Sequence, residues 1–141
     1  MTERTPLQTV AMLTGIVFLL VGILGFIPGI TTNAPGDFAG SDSDAELFGI
    51  FRTSILHNIV HLLFGLAGIA LARTWDGART FLIGGGVIYL LLWILGLIGG
   101  ANWIPTNTAD EWLHFVLGVG MVGAGFLLSR EGATRTTAMA P

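Results

Sequence analysis

The chain has 141 residues, of which 52% are hydrophobic and only 11% are charged. A soluble domain carries about 25% charged residues, so this composition excludes an ordinary soluble protein and indicates a surface that faces lipid. The formal charge of −3 and the absence of cysteine exclude a basic nucleic-acid-binding face, disulfides and thiolate chemistry.

Four apolar segments are long enough to form helices that cross a bilayer, which takes about 20 residues. They cover residues 7–27, 54–72, 81–100 and 112–128. We therefore predict a single all-α domain over residues 1–141, an integral membrane four-helix bundle. Residues 129–141 are small and polar, and we expect a flexible cytoplasmic tail there.

The connection after the first segment is rich in Gly, Ser, Asp and Pro, which predicts irregular structure. Ser43 and Glu46 have the spacing of a helix-capping box, as do Thr108 and Glu111. We therefore expect the second helix to begin near Asp44 and the fourth to be capped by Thr108.

Arginine is unevenly distributed among the predicted connections and ends. Five arginines lie before the first segment, between the second and third, or after the fourth: Arg4, Arg73, Arg79, Arg130 and Arg135. The connections on the opposite side are acidic, with Arg52 as their basic residue. The positive-inside rule then predicts a multi-pass protein of the plasma membrane with both termini in the cytoplasm.

Two parts of the sequence resemble each other. Residues 15–29 align without gaps on residues 86–100, and His61-Leu-Leu-Phe-Gly65 matches His114-Phe-Val-Leu-Gly118. We therefore predict two tandem helical hairpins that share one orientation and are related by an axis along the membrane normal.

The three histidines lie on the second and fourth predicted helices. Residues four apart share one helix face, so His57 and His61 form a pair on the second helix. Asp110 and His114 form the equivalent pair on the fourth. Small residues on the same faces predict that these faces pack inside the bundle, near the outer leaflet. The expected supporting residues are Asn58, Tyr89, Trp93 and Glu111.

Four interpretations of this polar cluster remain open. In the first, the imidazoles tie the helices together through hydrogen bonds. In the second, the three histidines and Asp110 bind a transition metal, such as zinc, iron, manganese or copper. In the third, His57, His61 and His114 provide the ligands of haem b. The fourth is a proton relay, because histidine titrates near neutral pH.

A wider resemblance rests on Leu24-Gly25-Phe26-Ile27-Pro28-Gly29, on His57-Asn58-x-x-His61-Leu62-x-x-Gly65-x-x-Gly68, and on Leu113-His114-x-x-x-Gly118. Over about residues 9–128 the chain resembles a bacterial, mainly actinobacterial, family called domain of unknown function 4383. The resemblance implies a four-span membrane protein. The resemblance indicates no biochemical activity, so no residue of this chain is assigned a catalytic role from it.

Three functional classes follow from these features. The favoured one is a membrane protein with a structural or binding role, whose buried cluster holds a metal ion or haem. The second is an outer-leaflet metalloenzyme or redox protein that uses the same cluster. The third is a small helper subunit whose glycine-rich faces dock another membrane protein or a second copy of the chain. In each class the bilayer is a partner and nucleic acid is not.

Overall fold

The computed structural model describes residues 3–99 and 102–138, with side chains as far as Arg130. It contains four helices: α1 (Pro6–Leu24), α2 (Ile55–Leu71), α3 (Trp75–Leu97) and α4 (Thr108–Ala138). Three helical segments, α1, α3 and residues 108–130 of α4, are long and apolar enough to cross a membrane, whereas the apolar α2 has 17 residues. The prediction of a helical protein of membrane type is confirmed.

The helices pack most extensively in two pairs, α1 with α2 and α3 with α4. Each pair is closest where glycines face each other. A Cβ atom added to Gly65 would lie 2.8 Å from the carbonyl oxygen of Gly15, and one added to Gly86 would lie 2.8 Å from that of Gly118. Because a side chain would not fit at either contact, these glycines bring the helix backbones together, as small residues do in membrane helices.

Aromatic rings join the two pairs. Phe18 of α1 stacks on Tyr89 of α3 with ring centroids 5.3 Å apart, and Phe64 of α2 contacts both rings. Phe18 and Tyr89 are both buried, and Phe81, Leu82 and Met121 extend the same core. Rings from three helices therefore fix the arrangement around the centre of the bundle.

A three-stranded antiparallel sheet lies between α1 and α2. Its strands are β1 (Thr31–Thr32), β2 (Ala45–Leu47) and β3 (Phe51–Thr53), in the order β1-β2-β3. The turn between β2 and β3 contains Phe48 and Gly49, both with positive φ, at 56° and 67°. Such backbone angles interrupt a helix, and the chain reverses direction here.

The sheet shows that the predicted start of the second helix near Asp44 was wrong. Ser43 caps no helix, because its hydroxyl donates to the carbonyl oxygen of Thr53 at 2.6 Å. The residue that caps α2 is Ser54, whose side chain accepts from the N–H of His57. A serine at a helix N-terminus satisfies an amide that the helix itself leaves free.

Two further helix starts differ from the prediction. α3 begins at Trp75 because the Thr74 side chain accepts from the N–H of Gly77 at 3.1 Å, and Arg79 therefore lies within this helix. At the start of α4 the capping residue is Asn107 and not Thr108. Its Oδ1 accepts from the N–H of Asp110 at 3.0 Å.

The predicted ends also differ. α3 ends at Leu97, whereas its predicted segment extended to Gly100, which lies outside the described residues. The backbone of α4 continues to Ala138, through most of the segment predicted as a flexible tail. Residues 139–141 of that predicted tail lie outside the described residues.

Candidate functional site

The candidate site lies at the end of the bundle that carries the sheet, where α2 and α4 begin. His57 and Asp110 are in the first turns of these helices, because Ser54 and Asn107 cap the helices through the amides of these two residues. His61 and His114 follow one turn further along, which is about 6 Å along a helix axis. The two caps thus set the depth of all three histidines.

The three histidine rings come together between α2 and α4. The ring centroid of His57 lies 4.4 Å from that of His61 and 6.4 Å from that of His114. Phe18 lies 5.7 Å from His61, and Tyr89 lies 5.2 Å from His114. All four helices therefore contribute a ring to one group, Phe18, His57, His61, Tyr89 and His114, which we call the histidine layer.

Two nitrogens of the histidine layer lack a partner. The Nδ1 atoms of His57 and His61 are buried, and no described residue hydrogen-bonds to them. A neutral imidazole has one donor and one acceptor nitrogen. Leaving such a buried polar atom unpaired costs about 1–3 kcal/mol. A polar atom of a bound molecule would remove that cost.

Asn58, one of the expected supporting residues, bonds to Thr53 of β3 and not to an imidazole. The Thr53 hydroxyl donates to Asn58 Oδ1 at 2.6 Å, and the Asn58 side chain packs directly against Gly25 of α1. Asn58 is only 1% exposed. The interpretation in which the histidines simply tie the helices together therefore gains no support from these two side chains.

The Asp110 carboxylate is engaged by backbone amides. Its Oδ2 accepts from the N–H groups of Arg52 and Asn107, each at 3.0 Å, so it links β3 to the first turn of α4. Within the part of the chain that the structure describes, no three histidine, cysteine or acidic side chains form a group that could hold a metal ion. The predicted metal set of His57, His61, His114 and Asp110, and its haem alternative, therefore lack support.

The predicted supporting residues divide into two groups. Tyr89 belongs to the histidine layer, and Asn58 lines the cavity next to it. Trp93 instead packs on Phe115 of α4, with ring centroids 4.7 Å apart. Glu111 lies beside Gly96, 3.4 Å from the position of an added Cβ atom. Trp93 and Glu111 belong to the α3–α4 contact and not to the site.

A cavity of about 410 Å³ adjoins the histidine layer and extends between α1 and α4. Its walls are mostly apolar, and they include Leu13 and Val17 of α1 and Leu117 of α4. Leu13 and Val17 are also more than half exposed on the outside of the bundle. The cavity, which we call the α1–α4 cavity, therefore opens along the seam between these two helices.

Sequence reasoning missed the residues that cover the α1–α4 cavity at the sheet end. They come from the β2–β3 hairpin, namely Leu47, Phe48, Phe51 and Arg52. The signal was a glycine, Gly49, within a short apolar run, which is typical of a hairpin turn. It was overlooked because the apolar run was taken as the start of the second helix.

The fold and the site together define a helical protein of membrane type with an apolar cavity beside a layer of histidine rings. A family model described as Domain of unknown function (DUF4383) matches residues 8–127. The chain belongs to this family, which confirms the resemblance found in the sequence. Neither a curated protein nor a solved structure matches the chain.

Proposed function

We propose that this protein spans the plasma membrane four times and binds a neutral, membrane-soluble molecule in the α1–α4 cavity. The observation that carries the proposal is the combination of apolar walls with two buried, unpartnered nitrogens, His57 Nδ1 and His61 Nδ1. Ligand pockets typically combine apolar walls with a few convergent polar groups in about 300–1,000 Å³. The α1–α4 cavity, at about 410 Å³, lies in that range.

The topology has two supports. The 17 residues of α2 extend about 26 Å, and a spanning helix needs about 17–25 residues. Arginine is concentrated near the helix ends that lie away from the sheet, which favours a cytoplasmic position for both termini. The sheet and the histidine layer then lie on the outer side of the membrane.

The absence of cysteine makes the topology testable with single-cysteine variants. Ser41 precedes β2 and is exposed, and Asp76 is exposed at the start of α3. A membrane-impermeant maleimide should label Ser41→Cys in intact cells and label Asp76→Cys only after permeabilisation. Equal labelling of both variants in intact cells would contradict the proposed orientation.

Contacts at matched positions support the tandem-hairpin arrangement. In the alignment Gly15 corresponds to Gly86, and Gly65 to Gly118, and both glycine pairs are in close contact. The ring contacts Phe18–His61 and Tyr89–His114 also match, and so do the contacts Gly25–Asn58 and Gly96–Glu111. Chance similarity between apolar helices predicts no such agreement in three dimensions.

The seam between α1 and α4 determines the ligand class. A molecule that enters between lipid-facing helices comes from the bilayer, so it is lipophilic. Its polar end is a carbonyl or a hydroxyl, because burying an unpaired charge is far more costly than burying a hydrogen-bonded neutral group. Arg52 lines the cavity, but two acidic residues lie near it: Glu46 is its cross-strand neighbour on β2, and Asp110 lines the same cavity. These acidic residues oppose the binding of an anion beside Arg52.

The binding test uses hexadecanol as a neutral probe and palmitate as its anionic counterpart, with the purified protein in nanodiscs. His57→Phe and His61→Phe keep an aromatic ring and remove the Nδ1 atom. Each variant should weaken hexadecanol binding by about two- to tenfold, the value of one hydrogen bond. Trp93→Phe, which lies outside the cavity, is the control and should bind like the wild type.

Two results would overturn this assignment. Unchanged hexadecanol affinity in the double His57→Phe/His61→Phe variant would show that the imidazoles do not contact the ligand. Tighter binding of palmitate than of hexadecanol would mean that the cavity prefers anions. Arg52, whose Nε is buried and unpartnered, would then be the group that attracts them.

The same preparation tests the remaining classes. The purified wild type could contain a stoichiometric transition metal or show the Soret absorption of haem. If either signal disappears in His57→Phe, the ligand proposal is overturned and the alternative of an outer-leaflet metalloenzyme or redox protein is supported. A helper subunit that docks through glycine-rich faces is less well supported. Gly15, Gly65, Gly86 and Gly118 already contact one another within this chain.

A further inference from the structure

A second cavity, of about 230 Å³, adjoins the histidine layer on the opposite side of the bundle. Its walls come from α2 and α3, from residues 103–105 and from His114 of α4, and we call it the α2–α3 cavity. Val60 and Ile88 line it and are about half exposed, so it opens along the seam between α2 and α3. Four members of the histidine layer line both cavities: His57, His61, Tyr89 and His114.

The two cavities are lined by corresponding positions of the two sequence copies. Counted from Gly15 and Gly86, the α1 residues Val17, Phe18 and Val21 correspond to Ile88, Tyr89 and Leu92 of α3. The first three line the α1–α4 cavity and the last three line the α2–α3 cavity. Leu113 and His114 of α4 likewise correspond to Val60 and His61 of α2. Each cavity lies between one helix of each copy, and the α2–α3 cavity is the counterpart of the α1–α4 cavity when the two copies are exchanged.

The polar groups are also suited to two molecules. The histidine layer has two buried nitrogens without a partner, one on His57 and one on His61, and both residues line both cavities. A polar end that reaches only one of these nitrogens leaves the other unpaired, at the cost of a buried unsatisfied group. Two polar ends, one from each side, satisfy both.

We propose that the α2–α3 cavity binds a second molecule of the same neutral, membrane-soluble class, so that the chain holds two such molecules whose polar ends meet at the histidine layer. This inference rests on the function proposed for the α1–α4 cavity. The smaller cavity accommodates the polar end and the first part of an alkyl chain, and the rest of the chain lies in the bilayer along the seam. Trp103, Ile104 and Pro105 cover this cavity, where the β2–β3 hairpin covers the other.

The matched positions give matched blocking variants. Val17→Trp fills the opening of the α1–α4 cavity, and Ile88→Trp fills that of the α2–α3 cavity. Both residues are about half exposed, so the larger side chain does not have to enter the packed core. Leu20 and Leu91 are the controls, because they are exposed on the same two helices, correspond to each other in the alignment and line neither cavity.

The probe is hexadecanol with a photoreactive diazirine next to the hydroxyl, added at saturating concentration to the protein in nanodiscs. Intact-mass spectrometry counts the adducts on each chain, and peptide mapping locates them. The wild type, Leu20→Trp and Leu91→Trp should carry up to two adducts, on α1 or α4 and on α2 or α3. Each blocking variant should lose the adduct of its own side by tenfold or more, and the double variant should lose both.

The failures of the two proposals are distinguishable. A single adduct that Val17→Trp removes and Ile88→Trp leaves unchanged would overturn the second binding site and leave the first in place. Adducts that neither blocking variant removes would overturn both. Circular dichroism of each variant confirms that lost labelling does not come from lost folding.

Discussion

The α1–α2 pair and the α3–α4 pair pack alike at their backbones and differ at the end that carries the sheet. Glycines make the closest contact in both pairs, Gly15 with Gly65 and Gly86 with Gly118. The helix caps are also equivalent, with Ser54 in one pair and Asn107 in the other. Packing positions are therefore shared by the two pairs.

The differences lie in the side chains that carry chemistry. His57 of α2 corresponds to Asp110 of α4, and Phe18 of α1 corresponds to Tyr89 of α3. Asp110 accepts two backbone N–H bonds, whereas His57 buries Nδ1 without a partner. One position thus holds the structure together and its counterpart is available to a ligand. Similar backbones can therefore keep one copy structural while the other copy supplies the binding groups.

The largest expected effect comes from the glycine contacts. Gly65→Ala should destabilise the protein by about 3 kcal/mol, because its Cβ would lie 2.5 Å from the backbone nitrogen of Leu19, which cannot move aside. Gly118→Ala should cost about 1 kcal/mol, because its nearest neighbour is the flexible Leu90 side chain. Unfolding in SDS, followed by circular dichroism, measures both changes.

Gly120→Ala is the control for this comparison, because an added Cβ atom there meets nothing within 4 Å. It should be neutral or stabilising by up to about 1 kcal/mol, the usual gain from alanine in a helix. Equal stabilisation by the three substitutions would mean that helix propensity, and not close packing, governs these positions.

An intermediate effect is expected at Asp110. Asp110→Ala leaves the amides of Arg52 and Asn107 without their acceptor and should cost about 2 kcal/mol. The corresponding change His57→Phe should cost less than about 1 kcal/mol, because it removes a nitrogen that has no partner and keeps the ring. The same SDS titration compares the two. A larger loss in His57→Phe would show that this histidine is structural.

The smallest effect is expected at Tyr89. Tyr89→Phe makes this position identical to Phe18 and preserves the stack of the two rings. The free energy of unfolding should change by less than about 0.5 kcal/mol, because the packed ring area is retained. The reciprocal variant Phe18→Tyr is the control. It should be the more costly of the two, since it adds a hydroxyl to a buried ring.

The sequence predicted the helices well, because long apolar segments leave few alternatives and because glycine faces indicate where helices pack. It failed at the sheet end. There Ser43 and Glu46 have capping spacing, but the chain forms a hairpin stabilised by contacts with residues distant in sequence, such as the Ser43–Thr53 hydrogen bond. Local signals could not reveal those partners.

The site was predictable in part. The period of the helix placed His57 and His61 on one face, and small residues on that face and on the face of His114 indicated that the three rings meet inside the bundle. The same spacing paired Asp110 with His114, but it could not show that the Asp110 carboxylate accepts from two backbone amides, one of them in β3, a strand that was not predicted. Trp93 was assigned to the correct helix, but its contact with Phe115 depends on how α3 and α4 are rotated. The membrane orientation remains a prediction.

The most direct test of the account is ¹⁵N NMR of the histidine side chains, because the chain contains only three histidines. Hexadecanol should shift the Nδ1 resonances of His57 and His61 in the wild type, since a hydroxyl then hydrogen-bonds to each. The double variant Val17→Trp/Ile88→Trp should show neither shift. Saturating hexadecanol that leaves both resonances of the folded wild type unchanged would contradict the assignment of the histidine layer as a ligand-binding site.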